Sequence, residues 1–219
     1  MGIAERKERE RARRKQQIIV AAKRVFTQKG FDKATMDDIA KEAELSSGTL
    51  YIYFKNKNEL YANMTLRVLH FLFIRLEHLH ADKKMEPEQK ISHLKNAFLD
   101  VYEFDPMILK TLFNLQSSEA IQHLSPELVD EIKVLAQKAM NKIASIFQQG
   151  IHKGICIDHP PKAIADIVWS LFSGIVLWEN NGSLNGHPND QEEGYFKPRL
   201  EMAFKIFERG ILIGEGGSC

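Results

Sequence analysis

Residues 45–60 read LSSGTLYIYFKNKNEL. Two serines and a glycine lead into a turn that carries Tyr51, Tyr53 and Phe54, with Lys55 and Lys57 just beyond. At 100° per residue Leu50 and Phe54 share one helix face, Gly48 and Ile52 stand opposite, and Thr49 and Tyr51 lie on the flanks. Leu50 and Phe54 are therefore placed to pack inward, whereas Tyr51, Tyr53 and Lys57 are placed to meet something outside the chain. A small closed core with solvated lysines at its rim accounts for most aromatic runs. The neighbouring segments decide between the two.

Upstream, Thr35 followed by Asp38 is a near relative of the capping box, and Met36, Ile39, Ala40 and Ala43 repeat on one apolar face. Ala43 to Leu45 is a short break, after which Ser46 or Ser47 caps the next helix. Asn56 with Glu59 opens a long helix from Leu60 toward His80. Ahead of these, Ile18, Ile19, Ala22, Val25 and Phe26 form one stripe on a helix that Gly30 stops. Glu5–Arg9 and Glu10–Arg14 are spaced as i,i+4 pairs that extend that helix into solvent. Two short helices joined by a tight turn and propped by a third make a helix-turn-helix.

Duplex DNA suits the outward face. Glycine at 48 lets a backbone come close, and hydroxyls at Ser47 and Thr49 can bond phosphates or base edges. The helix amino terminus favours a phosphate, and Ile52 matches a thymine methyl. Charge agrees with this: residues 1–60 hold 14 Lys/Arg against 9 Asp/Glu, a balance of +5, so residues 61–219 carry 16 against 20, or −4. A polyanion is thus a partner for the amino-terminal part alone. The candidate DNA-contacting residues are Thr35, Ser46, Ser47, Gly48, Thr49, Tyr51, Ile52, Tyr53 and Lys57. The arm from Arg6 to Lys15 fits either a groove contact or a plain solvated helix, because glutamates interrupt it.

The stretch AAKRVFTQKGFDKATMDDIAKEAELSSGTLYIYFKNKNEL resembles the DNA-binding domain of the tetracycline-repressor (TetR) family of bacterial regulators, from about Gln17 to Leu60. The glycine-aromatic step after the first helix, the Thr start of the second, the Gly-Thr-Leu-Tyr-x-Tyr-Phe run and the Lys-Asn-Glu-Leu start of the fourth carry the likeness. By that resemblance Thr35, Ser47, Gly48, Thr49, Tyr51, Tyr53 and Lys57 are DNA contacts, and Ile52 stands at a variable site that sets operator preference. The resemblance also implies a homodimer, a ligand pocket in the carboxy-terminal part, and repression released by a small molecule.

Beyond residue 60 nearly every segment has helical periodicity and none alternates as a strand would. The expected architecture is all-α with about nine helices. A helix-turn-helix domain with its arm spans 1–58, a helical effector-binding and dimerisation domain 59–214, and a flexible tail 215–219. A stripe of Ile164, Ile167, Val168, Leu171, Ile175 and Trp178, with Gly174 allowing close approach, and another of Leu200, Phe204, Phe207 and Ile211 suggest a four-helix dimer seam. Trp169, Val176, Met202 and Ile206 add apolar surface beyond those stripes. Phe98, Tyr102, Phe113, Gln116, Phe147 and Trp169 are candidate walls of a pocket for a largely apolar effector.

Other chemistries find little support. Glu77-x-x-His80 is half of a di-iron pattern without its second copy, and His152, Cys156 and His159 are loosely spaced for zinc, so no metal and no cofactor is expected. No catalytic triad, phosphate-binding or dinucleotide signature appears, and the chain is not expected to be an enzyme. Cys156 and Cys219 make no disulfide framework, no signal peptide opens the chain, and the apolar run Trp169–Trp178 is short of the roughly 20 residues of a spanning helix. A cytoplasmic protein with no membrane partner is expected. The alternative to a regulator is a helical ligand-binding or protein-interaction bundle that does not bind an operator.

Overall fold

The computed structural model describes residues 2–109, 124–180 and 195–213. These form helices α1 (Ile3–Lys29), α2 (Met36–Glu42), α3 (Ser47–Tyr53), α4 (Lys57–Ala81), α5 (Pro87–Phe104), α6 (Pro126–His152), α7 (Pro161–Asn180) and α8 (Phe196–Ile211), with a further helical turn at 106–109. The fold is all-α. Among the described residues the one β feature is an antiparallel bridge between Cys156 and Leu212, which ties the end of α8 to the loop after α6. There the Ile157 N–H donates to the Ile211 carbonyl at 2.9 Å and the Ile213 N–H to that of Ile155 at 2.8 Å.

The chain divides into two compact units. One holds residues up to 65 together with 124–129; the other holds 66–109, 130–180 and 195–213, and α4 runs through both. In the first unit, Ile18, Ala22, Val25 and Phe26 of α1 are buried, as are Ile39 and Ala40 of α2, Leu50 of α3, Phe54 and Leu60. Gly30 ends α1 with φ at +76°, a conformation that a β-carbon resists, and its N–H bonds the Phe26 carbonyl. Phe31 then turns back to stack on Tyr61, ring centres 4.5 Å apart, and leans on Phe26. The i,i+4 ion pairs expected in the arm do not form. Glu5 instead accepts from the Gly2 N–H at 3.0 Å and Arg14 donates to Gln17 at 3.3 Å, because carboxylates exposed to water gain little from a nearby guanidinium.

The second unit is built round rings. Phe98 stacks on Phe172, centres 4.4 Å apart, and Tyr102 stacks on Phe196 at 3.5 Å. Trp169, Phe204, Phe207 and Phe147 join these in one continuous cluster of eight rings. Beside it lies a polar seam. The buried Lys90 ammonium donates to the His80 carbonyl at 2.8 Å, the His80 ring Nε2 meets the Ser145 hydroxyl at 2.9 Å, and Lys142 pairs with Glu77 at 3.0 Å. By length and composition α7 is apolar enough to cross a membrane over Pro161–Glu179, a longer stretch than its ten-residue apolar run suggests. In this fold Ile164, Ala165, Val168, Phe172 and Val176 bury one side of it in the bundle.

Candidate nucleic-acid interface

The interface is assembled from two helix starts. At α2 the capping box closes: the Asp38 N–H donates to Thr35 Oγ1 at 3.1 Å and the Thr35 N–H to Asp38 Oδ2 at 3.1 Å. The exposed Thr35 hydroxyl accepts within the chain, and its own proton remains available to donate. Lys29 holds the other Asp38 oxygen at 2.5 Å, and this contact, followed by the two bonds from Thr35, keeps the Asp38 carboxyl below its ordinary pKa. At α3 the cap is Ser46, whose Oγ accepts from the Thr49 N–H at 3.2 Å and shares a proton with the Thr49 hydroxyl at 2.8 Å. Ser47 donates to Asp37 Oδ1 at 2.5 Å and so locks α3 against α2. Its one hydroxyl proton is therefore used inside the module, and only its N–H remains free for an anion.

On α3 the two faces separate as their angles require. Leu50 and Phe54 are 0 % and 2 % exposed, whereas Tyr51 is 51 % and Ile52 72 % exposed. A β-carbon built on Gly48 would have no heavy atom nearer than Ser46 Oγ at 4.0 Å. The fold itself asks for no glycine at this position. Tyr53 is half-buried at the rim.

Lys57 departs from expectation. Its ammonium donates to the carbonyls of Phe31, Asp32 and Ala34 at 3.0, 3.1 and 3.4 Å and lies 4.7 Å from the Phe31 ring centre. The three donors of a lysine are all used to tie the Gly30–Ala34 turn to the start of α4, so Lys57 is a clamp of the module rather than a free cation. The turn itself has no regular hydrogen-bond ladder, and sequence spacing gives no sign that its carbonyls converge on one point.

The effector candidates come together only in part. Phe98, Tyr102 and Trp169 meet across Phe172 and Phe196, and Phe147 joins through Phe207, but Phe98 and Phe147 are wholly buried in ring contacts. They fill space here rather than line it. Burial, with the Glu179 charge as a lesser cause, raises the Tyr102 phenol pKa. Phe113 and Gln116, like the tail 215–219, lie outside the described residues. Glu77 and His80, half of the di-iron pattern, are bound to Lys142 and Ser145.

The dimerisation set also divides. Ile164, Leu200, Phe204 and Ile211 are buried within their own chain, as is Val176, and cannot add area to a seam. Ile167 and Trp178 stand out on α7 at 56 % and 49 %, Gly174 is exposed between them, and Leu171, Ile175 and Phe207 are half-buried. The stripe from Ile164 to Trp178 straddles core and surface, because its six positions span about 100° and the buried arc of Ile164, Ala165, Val168, Phe172 and Val176 overlaps only one edge of it. On α8 the exposed apolar residues are Met202 and Ile206.

Comparison with known proteins agrees with this geometry. Residues 18–64 match the model of the bacterial regulatory proteins, tetR family. The HTH-type transcriptional regulator YhgD of Bacillus subtilis strain 168 is 29 % identical over 168 residues, covering 76 % of this chain and 84 % of that protein. A "Probable acrEF/envCD operon repressor" of Escherichia coli K12 is 33 % identical over 89 residues, 41 % of this chain and 40 % of its own. Among solved structures, the TetR family transcriptional regulator PfmR from Thermus thermophilus superimposes with a TM-score of 0.68 at 20 % identity, covering 89 % of this chain and 97 % of that one. The chain thus carries a tetR-family helix-turn-helix domain at residues 18–64, and over most of its length it is similar to HTH-type transcriptional regulators and shares the TetR fold.

Proposed function

We propose that this regulator is a cytoplasmic homodimeric repressor whose two α3 helices enter successive major grooves of a pseudo-palindromic operator, about 34–36 Å or a multiple apart. One observation carries the DNA contact: α3 exposes Gly48, Tyr51 and Ile52 together, with open space over the glycine and no packing use for any of the three. Thr35 and the N–H groups at the start of α3 position phosphates beside that surface, and Ile52 and Tyr51 touch base edges. The Escherichia coli relative is a probable operon repressor, which supports repression as the mode of action here. The homodimer rests on the apolar side chains that α7 and α8 leave exposed, Ile167, Trp178, Met202 and Ile206.

The effector is a largely apolar small molecule that inserts among the eight rings by displacing some of them. It releases DNA by preferring the arrangement of the dimer with wrongly spaced α3 helices, and its leverage equals its differential affinity for the two arrangements. The function is binding, with no catalysis. Selection of genomic fragments by the purified dimer tests this: a recurring palindrome is the expected result, and Tyr51→Ala with Ile52→Ala should abolish its enrichment while folding and dimerisation persist. A folded dimer that enriches no sequence would overturn the proposal.

A further inference from the structure

Helix α1 is far longer than its packing requires. It starts at Ile3, yet residues 4–13 are exposed without exception and burial begins only at Ile18. At 1.5 Å per residue the unpacked part reaches about 20 Å. Among the described residues no tertiary contact gives it a structural use, and a solvent-exposed helix of this length is marginal on its own.

Its charges are sorted. Residues 4–15 hold seven basic side chains and three acidic ones, a net +4. At 100° per residue Arg6, Arg9 and Arg13 form one row and Lys7, Arg11 and Arg14 a second, with only Glu10 between them; Glu5 and Glu8 lie on the opposite arc. Among the described residues no carboxylate lies within ion-pair distance of Arg6, Lys7, Arg9, Arg11 or Arg13. Six cations thus share one side of a rod, none of them within ion-pair distance of a described carboxylate.

The rod is rooted at the reading helix. The Lys15 ammonium lies 6.0 Å from the ring centre of Phe54, the residue that ends α3. Arg13, Arg14, Gln17 and Arg24 line an open cleft whose far wall is Glu42, Ala43 and Glu44, the turn that leads into α3. Arg24 is spoken for by Glu42 at 3.2 Å; among the described residues no carboxylate holds Arg13 or Arg14. The base of the arm thus packs beside α3 and the turn that leads into it, which roots the cationic rod in the DNA-binding module.

We infer that residues 4–15 form a second DNA contact, a helical arm that lies along the phosphates flanking each half-site. This rests on the operator-binding reading above and adds to it a sequence-independent clamp outside the bases that α3 reads. An arm of about 20 Å spans roughly six base pairs at 3.4 Å each, and its two rows suit three or four phosphates. Its effect is on affinity and salt dependence, with discrimination between sequences left to α3.

The test uses a duplex that the full-length chain itself selects, made with and without ten flanking base pairs on each side. The comparison is between the full chain, a form lacking residues 2–13, and Arg6→Gln/Arg9→Gln/Arg13→Gln, which keeps good helix formers. On the flanked duplex both variants should bind about tenfold or more weakly at 0.1 M salt, with a log–log salt slope smaller by about 3, and should keep the full ratio of specific to non-specific affinity. On the trimmed duplex all three forms should bind alike. Unchanged slope and affinity on the flanked duplex would overturn the arm and leave α3 as the operator reader. Loss of sequence discrimination with the salt slope kept would also overturn it, since the arm would then be supporting α3 itself. If the full chain selects no duplex at all, the operator reading fails and the arm with it.

Discussion

Gly48 and Lys57 show how alike two site residues look in the sequence and how differently they act. Among the described residues the missing β-carbon of Gly48 would meet nothing closer than Ser46 Oγ at 4.0 Å, so Gly48→Ala should fold, and should gain about 0.5–1 kcal/mol because alanine is the better helix former. Operator affinity should nevertheless fall about tenfold, some 1.4 kcal/mol, because the methyl meets the DNA instead. Thermal unfolding and a fluorescence-anisotropy titration of the same sample check both signs. Lys57→Met has the reverse signature. Three backbone carbonyls lose their donor, and the half-exposed site should lose about 1–2 kcal/mol of stability. Affinity measured well below the unfolding temperature should change less than it does in Ile52→Ala.

At the scale of elements, local signals placed the helix starts because caps act within four residues. Thr35, Ser46 and Asn56 each accept the N–H that their spacing predicts. The polar seam joining α4, α5 and α6 is long-range and leaves no such trace. There burial lowers the pKa of His80, and the Lys142 and Lys90 charges push the same way against a smaller opposing effect of Glu77. A base whose pKa is depressed on folding binds fewer protons in the folded state, so its contribution is full above the ordinary imidazole value of about 6.5 and is lost as pH falls below it. Denaturant midpoints should drop between pH 7.5 and 5.5, and His80→Gln, which keeps a partner for Ser145, should flatten that drop. An equal slope in the variant would assign the acid sensitivity elsewhere.

For the whole molecule, the expected outcome concerns the α7 and α8 faces. Ile167→Glu with Ile206→Glu puts charge on surface that the single chain already leaves in water, so the subunit should stay folded while sedimentation shows a monomer. Val176→Glu places the same charge on a wholly buried site and should unfold the second unit instead. Operator affinity of the monomeric double variant should fall steeply, since two half-sites are no longer held together.

The helices of the amino-terminal unit and the outward face of α3 follow from the sequence alone, because capping, glycine stops and a 100° rotation per residue depend on neighbours a few positions away. Tertiary structure decided what periodicity left open. The Ile164 to Trp178 stripe divides into a buried side and an exposed side, Lys57 turns inward to carbonyls more than twenty positions earlier, and the aromatic walls close on one another. A helix's apolar stripe states that a face is buried, while only the packed neighbours determine by what, since the hydrophobic effect has no preferred partner.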